Sequence, residues 1–260
     1  MILTWSKGPA DDNMPQALLV ETLEKVRQHP WWLARAKLAV AVLSKYGVIP
    51  PARIVDVGCG WGVNLSALEQ AGYEVSGLDI SRQILQCIDL PARRLIEGDL
   101  NQPLPPDIGL SDGLLALDVI EHLDDDQSAT RQFARLLRPG GTAVVSVPAR
   151  PDLFSDFDRI QGHRRRYLPN RLRESFAGSQ LEVLTIFWWG AWMVPVLRRM
   201  RSDSRKPGDA APKTYADYLR LPPLPARWVM KLLYAWEESR ALKGQLNNGT
   251  SLFAVATRRP

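Results

Sequence analysis

The apolar positions change period along this chain. From residue 16 to 46 they recur at helical spacing in "PQALLVETLEKVRQH" and again, after Pro30, in "PWWLARAKLAVAVLSKYG", which predicts two consecutive helices. Short apolar runs then alternate with helical ones. "RIVDV", "YEVSGLDI", "RRLIEGD", "DGLLALDVI", "TAVVSVP" and "LEVLTIFWW" read as strands. "GVNLSALEQAG", "SRQILQCI" (capped by Ser81), "DQSATRQFARLLRPGG" and "NRLRESFAGS" read as the helices between them. This order predicts an α/β fold, a mostly parallel sheet with helices on both faces. Residues 190–249 break the rhythm with prolines, the polar "RSDSRKPGDAAPK" and one long helix, "ARWVMKLLYAWEESRALKG", before a last alternating strand, "GTSLFAVATRR". The expected organisation is a helical cap over residues 1–50, a core over 51–189, a helical insertion over 190–249, and the core's final strand over 250–260.

Composition narrows the setting. The chain has 260 residues, 45% hydrophobic and 23% charged, enough for one domain with an embellishment. Its two cysteines, Cys59 and Cys87, show no pairing pattern, so a reducing compartment without disulfides is expected. The start "MILTWSKGPADDN" has no basic-then-apolar leader, and the longest near-apolar run, residues 184–197, is too short to span a bilayer. A cytoplasmic protein, at most peripheral to the inner face of a membrane, is the expectation. The net charge of +5 conceals an asymmetry: residues 1–150 hold 14 basic against 18 acidic side chains, residues 151–260 hold 19 against 10. The second half prefers anionic neighbours, or simply carries a solvated basic surface.

Candidate chemistry gathers at strand ends. "VDVGCGWG" follows the first core strand and opens a helix, with Gly58, Gly60 and Gly62 in alternation. Glycines there let the backbone turn and approach a ligand at a helix N-terminus. Asp79 ends the next strand, where a carboxylate can accept from ribose hydroxyls. Asp99 follows the third, within reach of an adenine amino group, and Asp118 the fourth. Each alone is a turn glycine or a helix cap; their order on consecutive strands is the specific signal.

On these residues the chain resembles class I S-adenosylmethionine-dependent methyltransferases. "VDVGCGWG" is similar to that family's first motif, "GLDIS" to its second-strand acid, "GDL" to its adenine contact, and "LDVIEHL" and "LLRPGG" to its later motifs, over residues 53–148. The resemblance implies a Rossmann-like, seven-stranded, doubly wound sheet whose last strand is antiparallel. It also implies S-adenosyl-L-methionine as cofactor, held by Asp56, Gly58, Cys59, Gly60, Asp79, Ile80, Asp99, Leu100 and Asp118. The segment "DVIEHL" is more like the small-molecule branch, including quinone-biosynthesis O-methyltransferases, than the DNA amino-methyltransferases, which carry a Pro-Pro-aromatic motif at that place. Some of that branch bind a divalent ion through Glu-x-x-Glu-His; with Asp118 at the first position, capping and packing by Glu121 and His122 is favoured and no metal is expected.

"HPWWLARAKL" and "DFDRIQGHRRRY" resemble segments of a bacterial methyltransferase subgroup. Trp31, Trp32 and Arg35 then form a lid over the cofactor or an amphipathic helix packed on the sheet. Among three histidines, His163 is the leading general base, ahead of His122, with Tyr167 positioning the acceptor; the structural alternative has His163 bonded to a loop carbonyl and Tyr167 as a buried anchor. Trp188, Trp189, Trp192, Trp228 and Trp236, with Arg198, Arg199 and Arg201, suit a lid over an apolar acceptor or peripheral contact with an anionic membrane. The expected acceptor is small or amphipathic and is methylated on a hydroxyl. RNA methylation and a non-catalytic, cofactor-binding partner of a biosynthetic complex are the alternatives, nucleic acid ranking last.

Overall fold

The computed structural model describes residues 2–6, 16–88, 94–105, 108–203, 219 and 221–260, side chains of 16–19 and 200–203 excepted. The polar stretch expected over 201–213 lies largely outside these residues. Eight strands form one sheet: β1 (Ile2–Thr4), β2 (Arg53–Val57), β3 (Glu74–Asp79), β4 (Arg94–Glu97), β5 (Ser111–Leu117), β6 (Leu137–Pro148), β7 (Leu181–Trp189) and β8 (Ser251–Arg258), in the order β1-β4-β3-β2-β5-β6-β8-β7. All pairings are parallel except those of β8, which runs antiparallel to both β6 and β7. The helices are α1 (Gln16–Gln28), α2 (Pro30–Lys45), α3 (Val63–Gln70), α4 (Arg82–Gln86), α5 (Asp126–Leu136), α6 (Asp156–Ile160), α7 (Pro169–Glu174), α8 (Met193–Asp203) and α9 (Leu224–Leu242).

The strands read as continuous apolar runs because both faces are covered. Along β5, Leu114 and Ala116 enter one core with Phe133 of α5, while Leu115 and Leu117 enter the other with Leu38 and Leu43 of α2. The chain order reverses at β2, which has β3 on one side and β5 on the other. Open α/β sheets place ligands outside the carboxyl ends of the strands at such a switch point, and here those ends carry Gly58 and Asp118.

One strand exceeds the seven expected, and it lies within residues 1–50, where only helices were expected over 16–46. Ile2–Thr4 adds to the sheet edge beside β4. Beyond it, the Trp5 indole donates to the carbonyl of Pro103 at 2.7 Å, and Ser6 Oγ accepts from the Asp99 amide at 2.9 Å. A Cβ on Gly98 would lie 2.0 Å from the Trp5 ring, so glycine is required under the indole. A three-residue strand on a polar flank has no periodicity to announce it; its partner makes it. The helix expected over 126–141 also ends early: the chain is extended from Leu137, which pairs with Ser111.

His29 opens α2. Its Nδ1 accepts from the Trp31 amide at 3.2 Å, filling the role of an N-cap acceptor. Burial, with Arg227 adding repulsion, lowers its pKa from 6.5 to about 4. The native state therefore resists a proton that the unfolded chain accepts. The associated stability is complete above pH 6.5 and is lost as pH falls towards about 4. His29→Asn keeps a capping acceptor and cannot titrate. Its melting temperature is expected to fall less than wild type's between pH 7.5 and pH 5, measured by circular dichroism.

Candidate active site

The turn after β2 is built for close approach. Gly58, Gly60 and Gly62 all have positive φ, at 68°, 44° and 75°. A Cβ on Gly58 would stand 2.6 Å from Cγ2 of Val119, so this loop and the end of β5 touch at a distance only glycine permits. Nothing but the Gly58 carbonyl, at 3.9 Å, lies within 4 Å of a Cβ built on Gly60, so the backbone there is open. Asp79, buried at the end of β3, holds the loop: its Oδ2 accepts from the Gly60 amide at 2.8 Å and its Oδ1 from the Ser81 amide at 2.9 Å. Burial raises its pKa, and those amides oppose the rise. Asp56 accepts from Asn64 Nδ2 at 3.2 Å, and Asn64 lines the cavity in front of the loop. Asp99 Oδ1 accepts from the Asn101 amide at 2.9 Å, and Leu100 is buried beside it.

That cavity measures about 470 Å³, within the usual range for small-molecule sites. Gly58, Cys59 and Gly60 form its floor; Trp31, Trp32 and Arg35 of α2 form one wall; Asp118, His122 and His163 form another. Trp192, Met193, Leu219 and Met230 line a further part of it. Asp79, Ile80, Asp99 and Leu100 stand at neighbouring strand ends outside its lining. An extended ligand of nucleoside and amino-acid parts fits this arrangement: an open glycine backbone beside the cavity, and carboxylates at the ends of β3 and β4.

Asp118 sits at φ 59°, a left-handed conformation that is strained for an aspartate. It is pinned by Ser146 Oγ, 3.1 Å from its Oδ1, and by an ion pair with Arg35. Arg35 is buried, with its guanidinium 4.6 Å from the Trp31 ring centre. Thus α2 is fastened across the sheet end, its tryptophans over the glycine loop: the Trp31 and Trp32 rings are 4.8 Å apart, and Trp32 meets Trp61 at 6.3 Å.

His163 and His122 meet edge to face at 4.8 Å. Nδ1 of His163 is 3.2 Å from Oδ1 of Asp158, a fully buried carboxylate that also accepts from Arg166 Nε at 2.6 Å. Its Nε2 is 3.9 Å from Oε1 of Glu121, beyond hydrogen-bonding distance. Glu121 is fully buried, and among the described residues neither oxygen finds a donor on another residue. Burial, then the neighbouring Asp118, raise its pKa well above the usual carboxylate range. Burial lowers that of His122 to about 3, so this ring is neutral at physiological pH. Tyr167 is placed elsewhere: it lies in the core, its hydroxyl 2.9 Å from Oδ2 of Asp126, and does not line the cavity. Asp158 is the site carboxylate that the sequence reading missed, its only signal being the five-residue step to His163; Glu121, expected to cap and pack, stands beside His163 with its carboxylate buried.

The three arginines before Tyr167 are neutralised at close range. Arg164 pairs with Asp124, Arg165 with Asp126 at 3.4 Å, and Arg166 with Asp158. The run is an intramolecular fastening rather than a free basic track.

Ligand atoms of Glu121, His122 and His163 all fall within 4.8 Å of one another. One carboxylate with two imidazoles is a donor set that divalent transition ions accept. Glu121 also carries a stability prediction. A carboxyl whose folded pKa is raised costs stability once pH exceeds its ordinary 4.5, because the unfolded chain then ionises more readily. Glu121→Gln, melted in the presence of a chelator, is expected to be more stable than wild type at pH 7.5. The two should converge below pH 4.5.

Residues 55–145 match a family described as the methyltransferase domain. Curated relatives include the ubiquinone biosynthesis O-methyltransferase of Alkalilimnicola ehrlichii, 34% identical over 107 residues, 39% of this chain and 43% of that one. The enzyme of the same name from Escherichia coli is 24% identical over 157 residues, 54% and 65% of the two chains. The chain thus spans about half the length of the curated relatives it matches. Among solved structures, the [4+2]-cyclase SpnF superposes with a TM-score of 0.60 at 17% identity, covering 99% of both chains. A methyltransferase from Haloferax volcanii, in complex with its Trm112 activator, gives 0.57 at 20% identity, covering 86% and 90%. At these identities the structures speak for the fold. The glycine loop and the carboxylates at the ends of β3, β4 and β5 all fall within residues 55–145, the segment of this chain that is similar to the methyltransferase domain.

Proposed function

We propose that the chain transfers a methyl group to a hydroxyl of a small or amphipathic acceptor, with His163 as general base. The observation that carries this is His163 on the cavity wall, its Nδ1 3.2 Å from the buried Asp158 carboxylate. S-adenosylmethionine supplies an electrophilic methyl on a positively charged sulfur. The chain's own residues then have three tasks. The glycine loop and Asp79 fix the cofactor's place. The walls of Trp31, Trp32, Trp192, Met193 and Leu219 exclude water and receive an apolar acceptor body. His163 takes the hydroxyl proton at Nε2 while Asp158 holds Nδ1–H, fixing the tautomer and balancing the imidazolium that forms. His122, neutral and weakly basic, is the poorer base.

The apolar walls and the paired arginines support a small or lipid-like acceptor over RNA. Among the described residues no helix is long and apolar enough to cross a membrane. Titration calorimetry with S-adenosylmethionine is the first test, and absence of binding sinks the enzyme reading. Transfer of tritium from methyl-labelled cofactor to a panel of phenols and hydroxylated lipids is the second. Label in added RNA alone would overturn the acceptor class. Loss of transfer in EDTA, restored by one divalent ion, would reassign Glu121, His122 and His163 to a metal centre.

A further inference from the structure

Helix α9 has two unlike faces. Its inner face is anchored: Glu237, fully buried, accepts from the Gly190 amide at 3.1 Å and from the Ala191 amide. The Tyr234 hydroxyl lies 3.0 Å from the Met193 sulfur, and Met230 reaches the cavity wall. Its outer face inverts the usual surface pattern. Leu224, Trp228, Leu232 and Trp236 follow one another at four-residue steps, joined by Val229, and are between 54% and 70% exposed. Residues four apart share a helix face, so this is one apolar stripe along a 19-residue helix.

Charge on the same face has one sign. Lys231, Arg240 and Lys243 are exposed there; the Lys231 ammonium is 5.3 Å from the Trp228 ring and the Arg240 guanidinium 4.9 Å from the Trp236 ring. The helix's two carboxylates are withdrawn: Glu237 is buried, and Glu238 pairs with Lys37 at 3.2 Å. The face therefore offers apolar side chains, interfacial tryptophans and cations, with no carboxylate.

We propose that this face docks the protein on an anionic lipid surface, with α9 lying in the plane of the interface. Tryptophans at headgroup depth, leucines below them and lysine or arginine reaching anionic headgroups are what such a surface binds. A second copy of the chain is the poorer occupant, because the face would meet its own cations and supply no carboxylate to receive them. Docking deepens the amphipathic-acceptor reading on which it partly rests. The inner side of the same helix helps wall the cavity through Met230, so the proposed docking face and the cavity lie on opposite sides of one helix.

The test is co-sedimentation of the full chain with vesicles of phosphatidylcholine, alone or mixed with phosphatidylglycerol. Binding is expected to the mixed vesicles, to weaken with salt, and to fall about tenfold in the double variant Trp228→Ser, Trp236→Ser. Cofactor calorimetry on that variant, expected to match wild type, shows that it is folded. Equal binding to both vesicle types, no binding, or an unaffected variant overturns the proposal. So does a dimer, seen by analytical ultracentrifugation, that the double variant dissolves. Failure of wild type to bind cofactor would sink the methyltransferase reading and leave the docking result standing.

Discussion

His163→Ala is expected to lower the rate of methyl transfer by about 100-fold or more, the usual worth of a positioned general base, while cofactor affinity stays unchanged. The geometry separates the two quantities. His163 lines the cavity beside Glu121 and His122, whereas the loop at Gly58 and Gly60 is held by Asp79. His163→Asn sharpens the test. An amide in this place can still donate to Asp158 but cannot accept the substrate's proton at the position of Nε2. A fall in rate shared by both variants identifies proton transfer; recovery in the asparagine variant identifies a packing role. The measurements are initial rates of label transfer and calorimetric titration of the cofactor. Unchanged turnover in both variants would move the role to His122 or remove the base from the mechanism.

The core was legible because its signals are local. An apolar run ending in glycines, then an acid at the end of the next strand, specify their own neighbourhood, and Gly58, Gly60 and Asp79 meet as that order implies. What stayed hidden depends on partners distant in sequence. Ile2–Thr4 becomes a strand only beside Arg94–Glu97. Asp158 reads as a helix-start acid, and it does accept from the Ser155 amide at 2.8 Å, yet it also receives Arg166 and holds His163. The run Arg164 to Arg166 does not name its own partners, and only the fold brings Asp124, Asp126 and Asp158 against it. Tyr167, expected to position an acceptor, follows that run into the core because its hydroxyl has Asp126 to meet. The solved neighbours carry a related lesson. One of them is named a [4+2]-cyclase, so this sheet alone does not determine methyl transfer, and the claim rests on the site residues.

Asp79→Ala is expected to weaken cofactor binding by about 100-fold or more, because hydrogen bonds to a charged group are worth about 1.5–3 kcal/mol each. The side chain does two jobs. It fixes the Gly60 and Ser81 amides, 2.8 and 2.9 Å away, and on the proposed function its remaining lone pairs accept from the ribose hydroxyls. Alanine leaves two amides without their acceptor and lets the glycine turn relax, so the loss exceeds that of one ligand contact. Asp79→Asn keeps one acceptor oxygen and should retain an intermediate affinity. The pH dependence has a definite sign. Burial holds the Asp79 pKa above the ordinary carboxylate value, and protonation would turn an acceptor oxygen into a donor facing an amide. Affinity is therefore full above that raised pKa and falls as pH drops through it, and the asparagine variant should lose this dependence. Calorimetry at a series of falling pH values on wild type and both variants measures all three effects. Equal affinity in wild type and Asp79→Ala would place the ribose elsewhere and leave Asp79 with the loop alone.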